Sequence, residues 1–134
     1  MKPWTSKTWV LEPLRGYLML AEQLWQHGPD FAGNWNFGPA EQDMLPVRFL
    51  VQTLQNLWGE GAEWQEDKTL NLPETHVLRL DCTKSRTILG WEPRLSLSQA
   101  LEWIVIWYKG YMNQDDMQSI TLQQIRAYQE LLTR

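Results

Sequence analysis

The chain is short of the residues that build metal and disulfide chemistry: one cysteine, Cys82, and two histidines, His27 and His76, in 134 residues. A single thiol excludes an internal disulfide framework and any cysteine-rich zinc site, and two distant imidazoles make a poor metal cage. Positive charge is also in deficit. Twelve Lys+Arg against 16 Asp+Glu leave a net charge of −4 with no basic tract, which speaks against a general nucleic-acid or anionic-membrane binder. The longest apolar run, Trp103 to Tyr108, is far below the roughly 20 residues of a membrane span. Met1 to Lys7 carries no apolar h-region of a secretory signal. These absences predict a soluble, cytoplasmic chain with one hydrophobic core.

Nucleotide and nucleophile motifs are missing too. No Gly-x-Gly-x-x-Gly opens a helix behind a strand; Gly59-Glu60-Gly61 lacks the third glycine and follows a helix instead. There is no P-loop, and no serine stands in a Gly-x-Ser-x-Gly elbow. Cys82 and His76 would lie roughly 20 Å apart along a strand, too far for a nucleophile–base pair. Asp115-Asp116 lacks the further spaced oxygens of a cation site and reads as a solvated turn.

What the sequence has in excess is tryptophan, nine in all. Leu11, Leu14, Leu18, Ala21 and Trp25 recur at three- and four-residue steps, the face of a helix with Pro13 in its first turn and Gly28-Pro29 at its end. A second helix opens near Pro46, lines up Val47, Leu50, Val51, Leu54 and Trp58, and stops at Gly59. A short helix runs from about Thr83 to Leu89. Ser96 and Gln99 have capping-box spacing ahead of the stripe Leu97, Leu101, Ile104, Tyr108 and Tyr111. Thr121 and Gln124 repeat the spacing for a last helix, with Ile120 and Ile125 as its hydrophobic staple. Asn34–Phe37, Ala62–Glu66 and His76–Asp81 read as short strands, and Asp67–Glu74 as loop. The expected fold is an α/β domain, α+β-like and helix-rich, of about five helices with two to four short strands.

Five residues stand out as candidate ligand contacts. His76, at a strand start beside Glu74 and Arg79, has an imidazole for a base or a phosphate; equally, it is a surface histidine. Arg48, in the first turn of the second helix, is placed to meet a diphosphate near that helix N-terminus, or to be solvated. Trp64, on a strand among polar residues, offers a π-face to a nucleobase. Trp25, Trp58 and Trp107 belong to helical stripes, and so to core or interface.

Several stretches then carry a resemblance. They are Val10-Leu11-Glu12-Pro13-Leu14-Arg15-Gly16-Tyr17-Leu18, Trp35-Asn36-Phe37-Gly38-Pro39, Glu74-Thr75-His76, Leu80-Asp81-Cys82-Thr83-Lys84 and Leu89-Gly90-Trp91-Glu92-Pro93. The Ala100–Tyr108 helix follows, then Asp116-Met117 and Thr121-Leu122. In order and spacing these resemble the C-terminal part of the CDP-glucose 4,6-dehydratase family, in the extended short-chain dehydrogenase/reductase superfamily. Asp-x-Ser/Thr-Lys followed by Leu-Gly-Trp-x-Pro is shared by many nucleotide-sugar enzymes; Val-Leu-Glu-Pro-Leu and Glu-x-His narrow the resemblance to the CDP-glucose type. Residues 1–9 read as a variable segment and 10–134 as one dehydratase C-terminal-like domain. Family members read Arg-Pro-Trp, two residues, then Val-Leu-Glu-Pro. Here five residues separate Trp4 from Val10, and Lys2 stands in place of the arginine expected near substrate.

The resemblance implies a separate, larger Rossmann domain in full-length relatives, with NAD and a Tyr-x-x-x-Lys pair for the redox step. Neither the glycine fingerprint nor that pair occurs in this chain: the fourth residue after Tyr17, Tyr108, Tyr111 and Tyr128 is Ala21, Met112, Asp115 and Leu132. The expectation is a sugar-nucleotide-binding lobe without cofactor, metal or catalytic residues of its own. It would hold CDP or a CDP-sugar weakly through His76, Arg48, Arg79, Trp64 and Glu74. Two alternatives stand beside it: a homodimer formed through the face that a Rossmann domain would cover, and a subunit complementing a separate NAD-binding half.

Overall fold

The structure, a computed structural model, describes residues 9–59, 61–65 and 80–133. Five α-helices organise them: α1 Leu11–His27, α2 Val47–Trp58, α3 Thr83–Thr87, α4 Leu97–Met112 and α5 Met117–Leu132. Short 3-10 turns at Gly28–Phe31 and Glu41–Asp43 lie between α1 and α2. The helix α4 packs on α2 and on α5.

Helix ends follow local chemistry. Gly28, at φ 60°, and Gly59, at φ 91°, end α1 and α2 with their N–H groups on Leu24 and Gln55. The capping box of α4 forms as expected, Ser96 Oγ accepting from the Gln99 N–H while the Gln99 side chain returns to the Ser96 backbone. The last helix starts earlier than its sequence signals. Asp116 is the N-cap, its carboxylate accepting from the Gln118 and Ser119 N–H groups, so it is a helix cap rather than a merely solvated turn residue. Thr121 lies a turn inside, donating to the Met117 carbonyl and accepting from Trp107 Nε1.

The core is built around Trp91, which is completely buried with Phe37 and Leu89, and Met19, Leu20, Phe31 and Trp35 pack on it. Phe37 meets Trp91 edge-on at 5.0 Å, a favoured arrangement for two ring quadrupoles. It also presses so closely on α1 that a Cβ at Gly16 would fall 2.5 Å from its ring. Glu12 is the polar centre, only 1% exposed. One carboxylate oxygen accepts from the Arg94 and Leu95 N–H groups at 2.7 Å each, and the other from the Tyr128 hydroxyl at 2.8 Å. The Glu12 carbonyl accepts from Trp91 Nε1 at 3.0 Å. A buried carboxylate is tolerable when its lone pairs are used in this way. It fastens α1 to the loop before α4 and to α5.

Two expectations are corrected. No strand occurs among the described residues, where Pro46 makes a single isolated β-bridge, so their architecture is helical rather than α/β. Asn34–Phe37 is irregular because side chains, not a ladder, satisfy it: Ser85 Oγ donates to the Asn36 carbonyl and Lys84 Nζ to that of Asn34. Residues 62–65 and 80–81 are irregular as well; the remainder of the strands expected at Ala62–Glu66 and His76–Asp81 lies outside the described residues. The second correction concerns α1. Its Leu14, Leu18, Ala21 and Trp25 face is exposed, Trp25 to 90%, while the opposite side, Glu12, Gly16, Met19 and Leu20, meets the core. Only glycine lets Phe37 approach, and that contact fixes which side turns inward. Among the described residues no helix is long and apolar enough to cross a membrane.

Candidate functional site

A cleft of about 240 Å³ opens between the segment after Phe37 and the start of α3. Its walls are made by two of the motifs that carry the family resemblance. Gly38 comes so near Leu80-Asp81-Cys82 that a Cβ there would sit 3.2 Å from Cys82 Sγ. Asn36 Nδ2 donates to the Asp81 carbonyl at 3.0 Å, and Ser85 holds the Asn36 carbonyl. Lys84 lies 4.1 Å over the Trp35 ring, itself stacked on Phe31, while reaching the Asn34 carbonyl at 3.4 Å. The lysine of the Asp-x-Ser/Thr-Lys motif is thus occupied in pinning one wall to the other, through a cation–π contact.

Glu41, Asp81, Thr83 and Arg86 supply the polar lining; Pro39, Met44 and Leu80 supply apolar contact. Hydrogen bonding from the Thr83 side chain, and then from the Thr83 N–H at 2.9 Å, holds the Asp81 carboxyl below the usual carboxylate value. Burial pushes the Cys82 thiol the other way, above its usual range, so it is a poor source of thiolate at neutral pH. Among the described lining residues Arg86 is the single cation, beside the carboxylates of Glu41 and Asp81. Such a lining suits hydroxyls and amides, which can both donate and accept, better than a bare diphosphate. The volume is below the roughly 300 Å³ at which pockets for whole drug-sized ligands begin.

Of the five candidate residues, the structure describes two, Arg48 and Trp64. Arg48 is in the first turn of α2, and its guanidinium lies 5.7 Å over the Trp64 ring, which brings those two together. One face of Trp64 therefore already carries a cation; the residue also lines a shallow groove with Val51, Leu54 and Trp58. Neither Arg48 nor Trp64 lines the Asp81–Arg86 cleft. Glu74, His76 and Arg79 lie outside the described residues. Arg86 was not visible as a candidate in the sequence, where it is one more polar residue on a short helix. Its signal would have been its place in the turn after Asp81-Cys82-Thr83-Lys84.

No helix among the described residues opens on a dinucleotide-type turn. A pyrophosphate site of that kind needs a glycine-rich turn from a strand into a helix. Here α1 opens at Val10, α2 at Pro46, α4 at Ser96 and α5 at Asp116, none of them on such a turn. No redox step is assigned to these residues. Among them no three His, Cys, Asp or Glu side chains cluster as a metal site requires.

No protein-family model matches the chain. It is similar to CDP-glucose 4,6-dehydratase of Salmonella typhimurium (strain LT2), with 39% identity over 134 residues that take in 98% of this chain. The chain spans 37% of that enzyme's length. The likeness supports its reading as the counterpart of a part of such an enzyme, the C-terminal part.

Proposed function

We propose that this chain forms the sugar-nucleotide side of a CDP-glucose 4,6-dehydratase-type site, binds a CDP-hexose weakly by itself, and performs no dehydration alone. The observation that carries the proposal is the 39% identity running through almost the whole chain while spanning 37% of the relative. Two features agree with it. The motif residues Asn36, Gly38, Asp81 and Lys84 build a cleft whose lining suits hydroxyl groups. The sequence has neither a glycine fingerprint nor a Tyr-x-x-x-Lys pair to hold nicotinamide and move hydride. A cleft of about 240 Å³ covers only part of a CDP-hexose, whereas established ligand pockets cover most of their ligand, so affinity is weak.

The test is a titration of isotopically labelled protein with CDP-glucose, followed by amide shifts. Shifts at Asp81, Cys82, Thr83 and Arg86 and at Glu74, His76 and Arg79 are expected, with smaller ones for UDP-glucose. No shift at millimolar ligand would overturn the binding proposal. Loss of water from CDP-glucose when only NAD is added, followed by mass spectrometry, would overturn the claim that the chain does not dehydrate alone.

A further inference from the structure

Asp81, Thr83 and Arg86 line the cleft from a stretch of chain with little of its own to hold its shape. The helix α3, which carries two of them, has five residues, and its N-cap Cys82 supplies no side-chain cap bond. Isolated helices shorter than about 12 residues are marginal in water, so the place of this turn depends on what it is tied to. Asn36 ties it at both ends. Its Nδ2 donates to the Asp81 carbonyl at 3.0 Å, ahead of the turn, and its own carbonyl accepts from Ser85 Oγ inside α3. Asn36 is in turn fixed from the core. Its neighbour Phe37 is buried against Trp91, with ring centroids 5.0 Å apart, and the Trp91 N–H donates to the Ser85 carbonyl at 2.9 Å. Trp91 therefore anchors both sides of the bracket. Asn36 itself is not among the residues that line the cleft.

We propose that Asn36 is a positioning residue of the cleft: it holds the Asp81–Ser85 turn so that Asp81, Thr83 and Arg86 meet a ligand as a preformed set. It acts through the turn and makes no ligand contact of its own. The inference rests on the reading of this cleft as the ligand site. A turn that wanders is competent only part of the time, and apparent affinity falls by that fraction. What the position requires is a donor. A backbone carbonyl only accepts, so the group facing Asp81 must bring an N–H or O–H. The asparagine amide does so; an aspartate has the same outline but brings no proton at neutral pH. Lys84 supplements the bracket from the same segment, lying over Trp35 and reaching the Asn34 carbonyl.

Three variants separate the donor from the outline. Asn36→Ala removes the amide, Asn36→Asp keeps its outline without the donor, and Asn36→Gln keeps the donor on a longer stem. The Thr83 N–H is bonded to the Asp81 carboxylate and the Arg86 N–H to the Cys82 carbonyl, so their hydrogen exchange reports the turn without any ligand. That exchange should quicken by about twofold to tenfold in Asn36→Ala and Asn36→Asp, the range of one net hydrogen bond, and by less in Asn36→Gln. Affinity for CDP-glucose, read from amide shifts, should fall in the same order while the helical circular dichroism stays native. Asn36→Ala adds no charge, so its loss is not repulsion of the diphosphate. Native exchange rates in Asn36→Ala and Asn36→Asp would overturn the inference whatever the ligand does. Full affinity in those two variants would overturn it as well, as would tighter binding by Asn36→Asp than by Asn36→Gln, the order that shape alone would give. Absence of CDP-glucose shifts in the native protein would overturn the reading of the cleft and the inference with it, and is told apart because it precedes any substitution.

Discussion

The Tyr128 hydroxyl donates to a carboxylate oxygen of Glu12 at 2.8 Å, across 116 positions of sequence and with both residues buried. This bond is one of three that Glu12 accepts through its side chain. Replacing Tyr128 by Phe removes one donor and keeps the ring, so a loss of about 1 kcal/mol is expected in chemical denaturation. Glu12→Ala leaves the Arg94 and Leu95 N–H groups and the Tyr128 hydroxyl without their acceptor, and should cost about 3 kcal/mol or more. A double-mutant cycle between Glu12→Ala and Tyr128→Phe should show coupling of about 0.5 kcal/mol or larger; additivity would mean that the bond contributes nothing.

Stability should also depend on Tyr128 at alkaline pH. Burial first, then the Glu12 carboxylate, raise its pKa above the ordinary 10.0. In the unfolded chain the phenol ionises near the ordinary value, so the stabilisation is complete below it and is lost as pH rises toward the folded-state value. Unfolding free energy should therefore fall between pH 10 and 12 more steeply in the native sequence than in Tyr128→Phe. Equal slopes would contradict the shift.

Gly16 should not tolerate a side chain. The alanine methyl would fall 2.5 Å from the Phe37 ring, well inside van der Waals contact, and Phe37 is held by Trp91 on its other side. Gly16→Ala should destabilise by about 1–3 kcal/mol despite alanine's better helix propensity. An increase in melting temperature would show that α1 does not pack on Phe37.

Cys82 should react slowly with a thiol reagent at neutral pH, since burial both raises its pKa and blocks access. Full reaction should appear only on unfolding. Rapid labelling of the native protein would mean that the Gly38–Cys82 wall opens readily.

Arg86 separates binding from folding. It lines the cleft and is not one of the buried residues, so Arg86→Gln should leave the thermal midpoint nearly unchanged. The same substitution should weaken the CDP-glucose-dependent amide shifts severalfold. Unaltered titration would place the ligand away from this cleft.

Helix locations were legible because they depend on local signals: Gly28 and Gly59 as stops, Ser96 with Gln99 as a start. Which side of α1 is buried was not, since periodicity gave the strongest stripe to Leu14, Leu18 and Trp25. The inward side is selected by a glycine and a glutamate, Gly16 and Glu12, whose value lies in Phe37 and Tyr128 far along the chain. The strand pattern at Asn34–Phe37 misled for a related reason. Its alternation is real, but the carbonyls of Asn34 and Asn36 are taken by Lys84 and Ser85. At the candidate site, Asp81-Cys82-Thr83-Lys84 was visible in the sequence only as part of a family resemblance, while the contact of Lys84 with Trp35 and the place of Arg86 in the cleft required the tertiary arrangement.

The Glu12 junction has a consequence for synthesis. Its partners are Trp91, Arg94, Leu95 and Tyr128, separated from it by 79, 82, 83 and 116 positions. The first helix leaves the ribosome long before any of them, and long-range closures of this kind slow the search for the native state. Until Tyr128 emerges, one oxygen of the Glu12 carboxylate has only water as its partner, which makes the final helix the clasp that completes this junction.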